Sequence, residues 1–474
     1  VTSLFLFDDI YNLPNACNYI IDVDNFPSAY ERNKVNSKFV FSMDEVKAND
    51  FDKFARLMSS VELKGFASAA DIPNSVTFLE GYGVKTIEEF NIAERWQKNF
   101  AYQTLAAPIG VMGGEKIFSL NIRESKGSPN EHGPLGLVAG TTGSGKSELL
   151  QTWILSMCVN FHPNEVNFVL IDYKGGGMAN LLEAMPHVVG KITNIASNIK
   201  RSIISLNREK ERRMAMFEAA GVNNIDKYHK LYHEGKVSEP LPHLIICADE
   251  FAELKKEEPQ FIADLVSVAR VGRTLGIHLV LATQKPSGIV DDQISGNSRF
   301  RLCLKVQDAG DSREMIERPD ASRITQAGRC YVRVGKDEVL ELFQSFWSGA
   351  PYFGNSEEKI EKGNQVCIVE TNGHRIKPPK SKKPKVKAEY DELAAINKYI
   401  VELAEKQGIP ELRGPWLPDL ENNIQLEEVV SLSEGFDGSQ WNDNNLPWLK
   451  VPVGKYDMPE LQEQGKLCLD FAQD

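Results

Sequence analysis

Gly140-Thr141-Thr142-Gly143-Ser144-Gly145-Lys146-Ser147 follows the apolar run Leu135–Ala139 and precedes a helix-like stretch from Glu148 to Val159. A GxxxxGK[ST] stretch between a strand and a helix is a cradle for a polyphosphate. The glycines let backbone N–H groups turn inward, and the following helix points its positive end at the same anion. Lys146 adds a point charge at the β- and γ-phosphates, and Ser147 offers a hydroxyl to Mg²⁺. Gly140 through Glu148 are therefore the expected nucleotide-binding residues.

Outward from this loop, strand and helix signals alternate from about 134 to 346. Strands are expected at Leu135–Ala139, Val166–Asp172, His243–Ala248, His278–Thr283, Phe300–Val306, Cys330–Val334 and Val339–Gln344. The early ones are continuous Val/Ile/Leu runs, as in a parallel sheet buried on both faces. Helices are expected over 194–219 and 259–275. The pattern is that of a doubly wound α/β sheet.

The strand His243-Leu-Ile-Ile-Cys-Ala-Asp249-Glu250 ends in two carboxylates. In a phosphate-loop enzyme Asp249 would hold Mg²⁺, through water, and Glu250 would polarise the attacking water as general base. The next strand ends in Thr283 and Gln284, whose amide can reach a γ-phosphate; a capped strand end is the blander reading. Asp172 ends a third core strand and runs into Tyr173-Lys-Gly-Gly-Gly177, either supporting the magnesium shell or marking a solvated turn. A hydrolysing motor often takes a cation from a neighbouring subunit. Arg270, Arg273, Arg299 and Arg301 flank the strand 278–284, and Arg273 is the first choice; any one of them reads first as a surface or ion-pair residue. The cluster Lys210-Glu-Arg-Arg213 is expected on a solvated helix face. The histidines are not read as a metal centre, and no HExxH occurs.

At 474 residues the chain is too long for one ordinary core, so two or three domains are expected. A net charge of −12 argues against a large nucleic-acid-binding surface. The seven cysteines are odd in number and form no CxxC, which points to a reducing compartment rather than a disulfide or zinc framework. No apolar run approaches the length of a membrane span. The start at Val1 reads as a cut within a longer polypeptide, so an anchor elsewhere in that polypeptide stays open.

Residues 1–44 read as short strands, the tail of an upstream domain. Residues 45–108 read as a helical lead-in, with helices over Asp44–Ser59 and Thr86–Asn99. The hairpin 109–122 opens the ATPase-like domain, which extends to 365. Arg375–Lys387 lies in a Pro/Lys-rich linker (366–390), a solvated spacer or else a nucleic-acid or lipid contact. A helix with Leu393, Ile396, Ile400 and Leu403 on one stripe follows, stopping at Gly408-Ile-Pro410. The last segment, 391–474, carries an echo: Val451-Pro-Val-Gly454 then Leu467–Phe471, against Ala107-Pro-Ile-Gly110 then Ile117–Ile122. The echo predicts a lead-in to a second nucleotide-binding module, hence a tandem array.

These residues resemble the FtsK/SpoIIIE branch of RecA-like P-loop motors, and within it the membrane ATPases of type VII secretion systems (the EssC/EccC/YukB family). The likeness rests on GTTGSGKSE (140–148), LIDYKGGGM (170–178), Met185–Asn194, ICADEFAEL (246–254), Gly276–Pro286 and Asp311-Ser-Arg-Glu314. It implies a RecA-like fold and Mg²⁺-dependent ATP hydrolysis, slow in an isolated fragment. Lys146, Ser147, Asp249, Glu250 and Gln284 match the Walker A, Walker B and sensor positions. It further implies a cytoplasmic portion of a bacterial membrane protein with tandem ATPase domains, anchored by a segment outside this chain. Its partners would be neighbouring ATPase domains or subunits in a ring, other secretion components and small WXG-type export substrates. The alternatives are a DNA-pumping motor of the same branch, disfavoured by charge, and a nucleotide-binding regulatory domain with little turnover.

Overall fold

The Val/Ile/Leu runs line up as the centre of one mixed sheet in the computed structural model. Along its main path the strands are β1 (Ala106–Met112), β2 (Ile117–Asn121), β3 (Leu135–Ala139), β4 (Val166–Asp172), β5 (Val188–Ile192), β6 (His243–Asp249), β7 (Ile277–Thr283), β8 (Phe300–Cys303), β9 (Arg329–Val334) and β10 (Val339–Trp347), and the short strand Val76–Thr77 pairs parallel to β10 off this path. Their order is β2-β1-β10-β9-β8-β3-β7-β6-β4-β5. From β8 to β5 every pair is parallel. From β8 to β2 every pair is antiparallel. The central strand β3 is flanked by β7 and β8, which come much later in the chain, so the turn leaving β3 stands at the carboxyl ends of the parallel strands, where open α/β sheets bind their ligands.

The structure describes residues 19–23, 27–31, 38–42, 47–58, 72–123, 131–172, 177–192, 195–335, 338–354, 368–369, 375–376, 388, 390–417, 420–421, 423–425, 429 and 450–471. They fall in two compact units, 1–66 and 67–474. The first holds a three-stranded antiparallel sheet (Tyr19–Asp22, Ser28–Glu31, Phe39–Val40) and the helix Ala48–Met58. Asp44, the expected start of that helix, lies outside the described residues.

In the second unit, alternate residues of each parallel strand enter two separate cores, as the pleat requires. Phe168, Leu170, Ile245 and Cys247 join one, and Val169, Ile171, Leu244 and Ile246 the other. The first core is capped by α1 (Lys146–Asn160), whose residues Leu149 to Asn160 are all buried. A helix apolar on every side must be covered on every side. The cover comes from both flanks: Phe78, Phe90 and Trp96 before the phosphate loop, and Leu393, Ile396 and Ile400 of α5 (Glu392–Gln407) after it. Trp96 Nε1 donates to the Cys158 carbonyl at 2.9 Å. Residues 72–108, set apart in sequence as a lead-in, thus share a core with α1.

The second core lies under α2 (Ile195–Ala220), α3 (Ile225–His233) and α4 (Pro259–Gly272). Here the solvated reading of the 210–213 cluster holds for the exposed Glu211 and is corrected for Arg213. Arg213 and Glu209 are buried, and Arg213 donates to Glu209 Oε1 and to the carbonyls of Leu275 and Pro242, each at 2.8 Å. These bonds tie α2 to the segments that enter β6 and β7. Two further elements carry no plain sequence signal. The edge strand β5 has Gly190 and Lys191 in place of a continuous apolar run, and α3 carries aromatic and histidine residues on its inner side. The expected helix 86–99 is broken, because Asn91 sits in the left-handed region (φ 51°) between a 3₁₀ turn and the helix Ile92–Lys98.

The Pro108–Gly110 stretch of β1 shifts register against β2, a bulge that spares the ladder proline's missing N–H. The hairpin of Lys450–Met458 and Glu463–Asp470 shifts register at Pro452–Gly454. No helix among the described residues is long and apolar enough to cross a membrane.

Candidate nucleotide-binding site

The phosphate loop runs off β3 at Gly140 and is held at both sides. Gly140 N donates to the Thr283 carbonyl (3.1 Å), and Thr141 N to the Lys305 carbonyl (2.8 Å). Gly143 (φ 79°) and Gly145 (φ 95°) adopt left-handed conformations, as the reversal into α1 demands. A Cβ on Gly145 would meet Gly328 N at 2.9 Å, and Gly328 N itself donates to the Ser144 carbonyl at 2.8 Å. The turn before β9 is therefore a third support of the loop. Nothing local in the sequence marks Lys305 or Gly328 for this; only the sheet order brings them there.

Lys146 begins α1 and is nearly buried, and its ammonium is in close contact with Asp249 Oδ1. Ser147 Oγ lies 3.5 Å from Asp249 Oδ2. A buried ammonium needs a counter-charge, and Asp249 supplies it from the end of β6. Glu250, also buried, adopts φ 57°, the left-handed region that costs a non-glycine residue energy. Its Oε1 accepts from Thr283 Oγ1 and from Gln284 N, both at 3.2 Å. Thr142 Oγ1 donates to Gln284 Oε1 at 3.0 Å. Lys146, Ser147, Asp249, Glu250, Thr142 and Gln284, read from three separate stretches, are thus brought to one sheet edge.

The residues fit a magnesium nucleotide. Ser144 Oγ is buried inside the loop with no hydrogen-bond partner among the described residues. The first N–H groups of α1 have no partner within the helix. A serine hydroxyl and an aspartate meet at one point, the oxygen donor set a magnesium ion takes.

Residues 91–288 match the family model described as the FtsK/SpoIIIE family. The chain carries an FtsK/SpoIIIE-family domain. The type VII secretion system protein EssC of Staphylococcus aureus is 42% identical to it over 479 residues, covering 99% of this chain and 32% of that protein. The ESX secretion system protein EccC of Geobacillus thermodenitrificans is 43% identical over 445 residues, covering 92% and 28%. The chain spans about a third of the length of these curated relatives. The cytoplasmic domain of the Thermomonospora curvata type VII secretion ATPase EccC superposes with a TM-score of 0.68 at 26% identity, covering 84% of this chain and 42% of that one.

Other residues of the FtsK/SpoIIIE domain fall less simply. Asp172 is buried, pairs in register with Asp249, and accepts from Met178 N at 3.1 Å. Tyr173 to Gly176 lie outside the described residues. The Glu148 carboxylate turns away from the loop to accept from Ser348 Oγ (2.9 Å) and Gly349 N (2.7 Å). Its side chain ties α1 to the turn after β10.

The four arginines do not reach the phosphate loop of their own chain. Arg273 caps α4 at the start of β7, and seven strand residues, roughly 20 Å, separate it from Thr283. Its Nε is buried without a partner among the described residues. Arg270 is exposed in the last turn of α4. Arg299 pairs with Glu338 at 2.8 Å, and Arg301 bonds the Glu314 carbonyl and Ser295 Oγ.

Proposed function

We propose that this chain is an ATP-binding and hydrolysing motor segment of a tandem ATPase that drives type VII protein secretion. The observation that carries the reading is the meeting of Lys146 and Ser147 with Asp249, beside the Glu250–Gln284 pair, on one sheet edge. Gly143, Gly145 and the start of α1 cradle the phosphates, and Lys146 exchanges its contact with Asp249 for them. Asp249 and Ser147 are left to hold the magnesium ion, which when bound neutralises charge on the transferred phosphoryl group. Glu250 takes the proton of the attacking water, and Gln284 orients that water or the γ-phosphate.

The identity to EssC and EccC supports the secretion role, with small WXG-type proteins as cargo. The paired Pro-x-Gly register shifts support a tandem array, in which 109–365 is one ATPase domain and 391–474 leads to another. We assign the domain to the cytoplasmic side of a bacterial membrane, anchored outside this chain. Arg273 completes the site of an adjacent subunit, so the isolated fragment turns over slowly.

The test is calorimetric titration with ATP and Mg²⁺ alongside steady-state hydrolysis. Wild-type chain binds ATP, and Lys146→Ala does not; absence of binding by folded wild-type protein overturns the reading. Hydrolysis stimulated by duplex DNA and suppressed steeply by salt would instead favour a DNA motor.

A further inference from the structure

At the end of the sheet away from the phosphate loop, Glu165 stands just before β4, and His229 and His233 lie one turn apart on α3. We propose that these three residues form a binding site for a single zinc-class transition-metal dication, with a fourth position open to water. The pair His229-Lys-Leu-Tyr-His233 has H-x₃-H spacing, which presents both rings on one helix face. The spacing alone does not make a site in the sequence, because the glutamate that completes the set lies 64 residues earlier.

The three ligand atoms lie within 4.8 Å of one another. Glu165 Oε1 is 2.6 Å from His233 Nε2, and Oε2 is 3.2 Å from His229 Nδ1. The Leu241 carbonyl lies 2.7 Å from His229 Nε2. A carbonyl can only accept, so Nε2 carries the ring hydrogen and a neutral His229 turns the bare Nδ1 lone pair toward the carboxylate. Two acceptors then face each other in a buried place, since Glu165 and His229 are each 2% exposed. A cation between them removes the conflict.

The surroundings are those of a metal centre. A ligating histidine normally gives its other N–H to a carbonyl, which holds the ring, as Leu241 does here. Glu165 is steadied by Ala101 N, which donates to Oε2 at 2.7 Å. Two imidazoles and one carboxylate favour zinc over magnesium or calcium. Bonds of about 2.0–2.2 Å in a tetrahedron place ligand atoms roughly 3.3 Å apart. The Glu165–His229 separation already matches; His233 Nε2, 2.6 Å from Glu165 on a side chain 28% exposed and packed on Phe100, must move outward to reach it. Three protein ligands plus water make an exchangeable site. It clasps the Ala101 loop and the start of β4 to α3.

The alternative occupant is a proton, giving a plain imidazolium–carboxylate pair. Titration of the metal-free chain with Co²⁺, followed by visible absorption, separates the two. We expect one equivalent to give the intense bands of a four-coordinate cobalt site, displaced by Zn²⁺, and Zn²⁺ to raise the melting temperature. His233→Ala, at a partly exposed position, should keep the circular dichroism spectrum and weaken binding at least about 10-fold, the least expected even for an outer partner of a metal site. Lys146→Ala should leave cobalt binding unchanged, since the phosphate loop is at the other end of the sheet. No cobalt spectrum, no rise in melting temperature with Zn²⁺, or binding unaltered by His233→Ala would each overturn the site.

Discussion

The backbone N–H of Gln284 donates to Glu250 Oε1 at 3.2 Å, so the residues proposed as general base and sensor are joined by one hydrogen bond between the ends of β6 and β7. One oxygen of Glu250 is fixed by this bond and by Thr283 Oγ1. Glu250→Gln preserves the shape of the side chain and removes the base. Its ATP affinity should stay near that of the wild type while hydrolysis falls at least about 10²-fold. Calorimetry and phosphate release read the two quantities, and unchanged turnover would refute the assignment.

Gln284 also accepts from Thr142 Oγ1 at 3.0 Å, which links the phosphate loop to the proposed sensor. Truncation in Gln284→Ala should lower kcat roughly 10-fold or more, as loss of a preorganised donor does. Its nucleotide affinity should move far less, because only the Thr142 bond is lost and the backbone bonds of Gly140, Thr141 and Gly328 still hold the loop. A loss confined to affinity would assign Gln284 to binding rather than to chemistry.

Gly136 allows the ring of Phe300 to lie against β3. A Cβ at this position would come within 2.0 Å of Phe300 Cζ, and both residues are buried between neighbouring strands. Gly136→Ala should destabilise the domain by at least about 1–3 kcal/mol, the usual cost of overpacking. Gly296→Ala, where a Cβ meets nothing within 4 Å, is the control. Chemical denaturation of the two variants should differ accordingly; equal midpoints would contradict the packing described.

Glu392 begins α5, is buried, and accepts from Leu79 N at 3.0 Å. Burial pushes its carboxyl from 4.5 up to about 7, against the lowering by hydrogen bonds from Leu79, Thr77 and Phe78. Below pH 4.5 the group is protonated both folded and unfolded. Between 4.5 and about 7 the unfolded chain ionises first, so this group's contribution is lost as pH rises, and the full cost is present above 7. Every tenfold difference in proton affinity between the folded and unfolded chain is worth about 1.4 kcal/mol. Glu392→Gln should therefore melt higher than wild type at pH 8 and close to it at pH 4. A difference independent of pH would mean that Glu392 is not held protonated.

The parallel half of the sheet was legible because β3, β4, β6 and β7 are unbroken apolar runs that only a two-sided core can absorb. The loop residues were legible because a polyphosphate cradle needs glycine, lysine and serine at set intervals along one stretch of chain. Arg213 was misread for the converse reason. Its neighbours in sequence are charged, yet the carbonyls that receive its guanidinium belong to Pro242 and Leu275. Nor does local pattern separate residues 72–98 from a free lead-in, since their partner α1 lies far along the chain: Trp96 bonds Cys158, 62 residues later.

Local composition thus determined the core strands β3, β4, β6 and β7, the phosphate loop and the acidic pair, since short-range geometry and burial suffice for them. The tertiary structure alone decided that Gly328 and Lys305 brace the loop and that Glu148 faces Ser348. It also set Arg273 at the end of β7 away from Thr283 and gathered Glu165 with two histidines of α3. Each of these depends on the order in which strands pair, which brings residues tens to hundreds of positions apart within hydrogen-bond reach and leaves no periodic trace along the chain.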